Sequence, residues 1–438
     1  MNRVNRRRFL GATAALSAAS TSFADTDRPA MLGGPAVKLE GTRKWPIYDG
    51  SEEQALVDVL RSGKWGRGSG QMVLRFESKY ASLMGVKHCL ATANGTSALL
   101  TSMAALEVGP GDEVILPPYT FVATLNAVLE RHALPVFVDS DRKSFQIDAK
   151  KVEAAVTPRT RVIMPVHMAG AAADMDTLLA IGAKHKVPVL EDACQAVMGE
   201  WRGKKLGTLG ALGCFSFQAS KNLNSGEGGA VMTNDESLFY RCSHFHSNGR
   251  SPHKVDPGFT YTGHGLNLRL TEFQGGLLLA QLARLEAQSR TREQNADYLA
   301  GLFREIPGIA PSQQYEGCTR NAWHLFMFRY DAAKFGGLTR AQFLKALAAE
   351  GVPASSGYTP LNKEPLVKNV VLSRGYKKIY SEGELKAWDE KNHCPENDKL
   401  CQEAVWFTQT TLLGPRTDMD RIATAVRKIQ RFAKELKA

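Results

Sequence analysis

Long apolar runs are missing from the 438-residue chain. Past residue 30, each apolar stretch is broken by proline, glycine or charge well short of the about 20 residues that a membrane helix needs, so no membrane span is expected. Cysteine is sparse. There are seven, an odd number with no CxxC pair, so neither a disulfide framework nor a structural zinc site is indicated and no metal is expected. Cys394 and Cys401 are a conceivable pair in an exported protein, but two reduced thiols is the reading taken. Sustained heptads, biased segments and internal repeats are also lacking, which excludes coiled-coil, collagen-like and mucin-like proteins. Charge of one sign does not dominate: 55 Lys+Arg against 44 Asp+Glu leave +11. This excess is not interleaved with aromatics as a nucleic-acid site requires, so no nucleic-acid partner is expected.

What remains is an ordinary globular composition, 43 % hydrophobic and 23 % charged. At roughly 150 residues per domain the length predicts two or three domains with ample core. The N-terminus stands apart. Asn5, Arg6, Arg7, Arg8, Phe9 and Leu10 precede a small, mildly apolar stretch, and Ser22-Phe23-Ala24 puts small residues where a signal peptidase reads. This predicts a twin-arginine-type signal over 1–24 and an exported, extracytoplasmic protein. A basic tail on a cytoplasmic protein is the alternative. Removing 1–24 takes four arginines and no acid, which lowers the net charge from +11 to about +7. That mild excess suits a small acidic substrate or simply solubility.

Helices are expected at 53–62 and 71–84, with a glycine-rich loop at 63–70 between them. From about 88 to 235, short β-branched runs alternate with amphipathic ones. Strands are predicted at 113–116, 135–139, 161–166 and 188–192, with helices at 96–106, 121–131, 150–155 and 175–186. Strands apolar on both faces, alternating with helices, predict a mostly parallel sheet between helical layers, with ligands at the carboxyl ends of its strands. A long helix is expected at 276–304, then a strand at 322–330 and helices at 339–350 and 418–436. The boundary is placed inside the long helix. The expectation is a large α/β domain over 25–285 and a smaller C-terminal α+β domain over 286–438.

Three loops carry chemistry. Asn94-Gly95-Thr96-Ser97 opens a helix, either as an anion cradle of N–H groups and hydroxyls or merely as an N-cap turn. Glu191 and Asp192 end an apolar strand, where a carboxylate is costly without a partner unless it caps the next helix. Lys221 follows a strand at 214–217 and precedes a Gly-Glu-Gly-Gly turn, 29 residues after Asp192. A lone lysine among apolar neighbours is the kind whose pKa falls and which forms Schiff bases. Together these are the parts that pyridoxal phosphate needs: a lysine for its aldehyde, a carboxylate for its ring nitrogen, and a helix N-terminus for its phosphate.

With NGTSAL at 94–99, GPGDEV at 109–114, YTFVAT at 119–124, PVHMAG at 165–170, EDA at 191–193, FSF at 215–217, SKN at 220–222, GEGG at 226–229 and NLR at 267–269, the chain closely resembles the DegT/StrS-type pyridoxal-phosphate sugar aminotransferases. The resemblance runs from about Gly33 to the C-terminus. It implies the aspartate-aminotransferase (type I) fold and pyridoxal 5'-phosphate as cofactor. It also implies transfer of an amino group from glutamate or glutamine to a keto-sugar or keto-cyclitol.

Residue by residue, the resemblance makes Lys221 the Schiff-base and proton-shuttling lysine and Asp192 the partner of the ring nitrogen. Gln195 would bond the 3-oxygen, Thr96, Ser97 and Ser216 would hold the phosphate, and Phe121 would stack on the ring. Asn267 would reach the phosphate from the other subunit, giving a homodimer with shared sites. His167, Arg269, His324 and Tyr358 are candidates to meet substrate, Arg269 through the donor carboxylate. Gln218 in this motif form resembles the branch that aminates keto-cyclitols or makes aminobenzoate-type rings. Ser356-Gly357-Tyr358 stands where many members carry a histidine before the tyrosine, a departure from the usual sugar-nucleotide contact. The alternatives are a ring-forming dehydratase or aminobenzoate-type synthase, and an exported pyridoxal-phosphate-binding protein without turnover.

Overall fold

The computed structural model describes residues 27–41, 44–250 and 260–437, so the expected signal over 1–24 lies outside the described residues. The large domain is built on seven strands: β1 (His88–Thr92), β2 (Glu113–Leu116), β3 (Leu134–Phe137), β4 (Thr160–Ile163), β5 (Leu190–Asp192), β6 (Leu212–Ser216) and β7 (Gly229–Thr233). β2 is flanked by β3 and β4, and β5 by β6, all in parallel. Parallel bridges Ile163–Val189 and Val166–Asp192 join the β4 segment to the β5 segment. β7 alone runs antiparallel, between β6 and β1. The order across the sheet is therefore β1-β7-β6-β5-β4-β2-β3. Every residue of β2 and β6 is buried, as a sheet covered on both faces requires.

The expected elements appear, with shifted ends. The expected 161–166 strand closes at Ile163 because Pro165 has no N–H to give a ladder. The long helix spans Glu272–Arg304 and starts four residues earlier than expected. Gly275 and Gly276 lie within its first turns. In the structure they are packing residues: a Cβ on Gly275 would lie 2.8 Å from the Val73 nitrogen. β1 was not separately expected, since His-Cys-Leu-Ala-Thr lacks a β-branched run.

The C-terminal core is an antiparallel sheet of Ile309–Pro311, Leu325–Tyr330 and Ala404–Thr408 under helices Arg340–Ala349 and Arg416–Arg431. Phe303, Phe326, Phe328 and Phe407 fill its centre. Packing does not follow a single cut near 285. Val37 and Leu39 lie against this C-terminal core, and Glu350 ties the N-terminal segment 30–37 to it by accepting from Ala30 N, Val37 N and Lys428 Nζ. Conversely, Val367, Val371, Tyr376, Tyr380 and Trp388 join the large-domain core. Trp388 Nε1 donates to Pro135 O at 2.6 Å and Tyr376 to Ala133 O at 2.9 Å, which covers the open edge of β3. Cys394 and Cys401 are both free. Among the described residues, no helix is long and apolar enough to cross a membrane and no group of three or more His, Cys, Asp or Glu is placed to hold a metal ion.

Candidate active site

β5 and β6 run side by side, and both end at a cavity of about 660 Å³. Asp192, the last residue of β5, is buried at its wall. Its Oδ2 accepts from Thr124 Oγ1 at 2.8 Å and its Oδ1 from Cys194 N at 3.2 Å. Lys221 also lines the cavity, and no described residue pairs with its Nζ. Burial pulls its pKa below the usual lysine range, against the opposing charge of Asp192.

The third component is a helix N-terminus. Asn94 caps the Gly95–Ala105 helix by accepting from Ser97 N at 2.8 Å. Helix geometry leaves the N–H groups of Gly95 and Thr96 without intrahelical acceptors at the cavity wall. Ser216 packs there so closely that a Cβ on Gly95 would lie 2.8 Å from the Ser216 Cβ. This close approach is why the helix opens on glycine. Phe121 precedes the Val122–Leu129 helix and stands 56 % exposed at the mouth.

Gln195 is held from both sides. Its Oε1 accepts from Ala169 N at 2.8 Å, and its Nε2 donates to Tyr358 OH at 3.2 Å. Ala169 has φ of 61°, a strained value for alanine, and its carbonyl accepts from His324 N. His324, Tyr358 and Trp406 close the cavity from the C-terminal side. Burial pushes the Tyr358 phenol up to about 12, so it stays protonated.

Four expected site residues do not face this cavity in their own chain. His167 is fully buried. Its Nδ1 accepts from Ala173 N at 3.2 Å and its Nε2 meets Glu191 Oε2 at 2.9 Å, so both ring nitrogens are spent on the fold. Ser97 is buried beneath the helix turn, with its N–H on Asn94. Asn267 is exposed and bridged to Ser247, and Arg269 is bridged to Thr92. Burial and the charges of Arg250 and Arg67 lower the Arg269 pKa. The sequence reading missed Thr124, Glu227 and Trp406. Thr124 was within reach, since it closes the YTFVAT motif. Trp406 had no signal, lying far along the chain in an ordinary strand.

Glu191, next to Asp192, turns to the opposite side of the sheet. It accepts from the backbone N–H groups of Gly207, Leu209 and Gly210 at 2.7–2.8 Å, and it meets His167. Removing it strands one buried and two part-buried backbone donors. Glu191→Ala is expected to lower the unfolding free energy by about 3–5 kcal/mol, read as a lower urea midpoint. An unchanged midpoint would show that this clamp contributes nothing.

The chain matches the DegT/DnrJ/EryC1/StrS aminotransferase family over residues 46–383. It is 36% identical over 413 residues to the L-glutamine:2-deoxy-scyllo-inosose aminotransferase of Streptoalloteichus tenebrarius, covering 91% of this chain and 97% of that one. It is likewise 36% identical over 396 residues to the 3-amino-5-hydroxybenzoate synthase of Amycolatopsis mediterranei, covering 87% and 95%. The crystal structure of a 3-amino-5-hydroxybenzoic acid synthase superposes with a TM-score of 0.79 at 34% identity, covering 90% of this chain and 99% of that one. With a β5–β6 cavity, an unpaired lysine and a capped helix N-terminus already in place, these matches settle the family: the chain belongs to the DegT/DnrJ/EryC1/StrS aminotransferases.

Proposed function

We propose that the protein moves an amino group from glutamine to the ketone of a polyhydroxylated ring of the keto-cyclitol class, using pyridoxal phosphate held in the β5–β6 cavity. The observation that carries this reading is the convergence of Lys221, Asp192 and the Gly95–Thr96 helix start on one cavity. The donor set fits the group: an unpaired amine, a buried carboxylate, and N–H groups beside the hydroxyls of Thr96 and Ser216. When bound, pyridoxal phosphate supplies an aldehyde that takes up the amino group and a ring that withdraws electrons. Asp192, fixed by Thr124 and the Cys194 N–H, would hold a proton at the ring nitrogen. Lys221, with its lowered pKa, is suited to take and return a proton at the reacting carbon. Phe121, at the mouth, would cover one ring face. Gln195 aims its amide N–H groups because Ala169 fixes its oxygen.

The cavity also bears on the acceptor. Among the described residues that line it, Lys221 is the one formally cationic side chain, while Asp192 and Glu227 are acidic. A neutral polyol needs no further cation from these residues. The relatives named for glutamine and 2-deoxy-scyllo-inosose support the same choice. Asn267 and Arg269, outside their own cavity, are proposed to serve the site of a second copy in a homodimer, where Arg269 would receive the donor carboxylate.

The protein as purified is expected to be yellow. Glutamine should bleach the visible band, and 2-deoxy-scyllo-inosose should restore it. A protein that neither absorbs in the visible nor takes up added pyridoxal phosphate would end the reading. One that binds it but never responds to amino donors would be a binding protein without turnover.

A further inference from the structure

His324 has an assignable tautomer. Asn222 Nδ2 donates to Ala322 O at 2.7 Å, which turns Asn222 Oδ1 toward the imidazole, 3.3 Å from His324 Nδ1. An amide oxygen only accepts, so the ring proton sits on Nδ1 and the lone pair on Nε2. No described residue is bonded to Nε2, and the ring lines the cavity. The backbone leaves the ring little freedom: His324 N donates to Ala169 O and His324 O accepts from Gln409 N.

The charge state follows from the surroundings. Burial, then the positive charges of Lys221 and Arg292, hold the His324 pKa well below the ordinary histidine value. Arg292 is itself fully buried on the long helix, with Gln409 Oε1 as its hydrogen-bond acceptor at 2.9 and 2.6 Å. A neutral imidazole with a fixed lone pair cannot hold a carboxylate or a phosphate. It can only accept a proton donor such as a hydroxyl.

We infer that His324 is a specificity residue whose Nε2 accepts a hydrogen bond from a hydroxyl of the ring ketone. This rests on the keto-cyclitol reading and narrows it to acceptors that present a free hydroxyl on that side of the cavity. The same lone pair disfavours a substrate that presents an anion there.

The test uses the full chain loaded with pyridoxal phosphate and follows each half-reaction by its visible absorbance. L-glutamine is the donor and 2-deoxy-scyllo-inosose the acceptor. His324→Leu should lower kcat/KM for the ketone by about 10- to 100-fold, the range for losing one buried hydrogen bond to substrate. The glutamine half-reaction and the resting spectrum should stay unchanged. His324→Gln keeps an N–H for Asn222 and an oxygen for the hydroxyl, so it should recover most of the loss and guards against misfolding of the leucine variant. Equal loss in both half-reactions would overturn the inference and make His324 a support for the Lys221 loop. An unchanged ketone half-reaction would overturn it too. A wild-type protein that accepts glutamine's amino group but never passes it to the ketone would instead overturn the keto-cyclitol reading, and the His324 assignment would fall with it.

Discussion

Lys221→Ala is expected to abolish amino transfer, lowering single-turnover product formation by more than about 10⁴-fold. On the proposed function two contributions would be lost at once: the amine that would anchor the cofactor covalently and the base that would shuttle the proton. Nothing else near the cavity replaces them. Among the described residues lining it, no other lysine is present, and the Nε2 lone pair of His324 is assigned to a hydroxyl of the ring ketone. Arginine at 221 should not rescue, because a guanidinium stays protonated and does not form the imine bond. The fold should survive, since no described residue depends on the Lys221 ammonium for a hydrogen bond. Thr96, Ser216, Phe121 and Asp192 remain, so the variant should still bind pyridoxal phosphate, though reversibly. Residual activity above about 1 % of wild type would remove Lys221 from the chemistry, given the 10²–10⁴-fold that one proton-transfer group ordinarily contributes.

Lys221 and Asp192 were legible because each sits where a strand meets a loop in a short, chemically biased segment. The sequence names the residue types there, and strand ends in such sheets are where ligands gather. The side of the strand was not legible. Glu191 and Asp192 are adjacent, and successive residues of a strand point to opposite faces. Asp192 therefore enters the cavity while Glu191 clamps the turn at Gly207–Gly210 from behind, and His167 follows Glu191 rather than Asp192. Histidine in a loop beside a predicted strand looks the same in sequence whether it faces ligand or core.

Long-range assembly was the other gap. His324, Tyr358 and Trp406 reach the cavity from separate segments of the C-terminal half, and their meeting depends on the antiparallel sheet of Leu325–Tyr330 and Ala404–Thr408. The cover over β3 was hidden for a similar reason. Tyr376, Tyr380 and Trp388 lie in short, polar helical turns of weak periodicity, yet they bury against a sheet formed more than 200 residues earlier. Two segments, one at Val37 and Leu39 and one from Val367 to Trp388, pack across the cut placed inside the long helix, and a crossing segment carries no composition shift that would reveal it.

The last expectation concerns Asn267, which stands exposed beside β1, with Arg269 bridged to Thr92, and does not enter its own cavity. If it serves the phosphate site of a second copy, each active site is built from two chains. A hydrogen bond to a phosphate dianion in a partly dry site contributes about 1.5–3 kcal/mol. Asn267→Asp replaces that donor with a like charge and should weaken cofactor retention well over tenfold. Alone, this variant and Lys221→Ala should both be poorly active at subsaturating pyridoxal phosphate. Unfolded and refolded together, they form mixed dimers in which one site regains Lys221 from the Asn267→Asp chain and Asn267 from the Lys221→Ala chain. The opposite site then carries both defects. Activity should return to one site per mixed dimer, so a mixture of equal parts should approach a quarter of the wild-type value per chain. That fraction follows from random pairing: half of the dimers are mixed, and each of those has one intact site of two. If mixed dimers demonstrably form, by differential tagging, and activity stays at the sum of the parents, Asn267 does not cross to a partner.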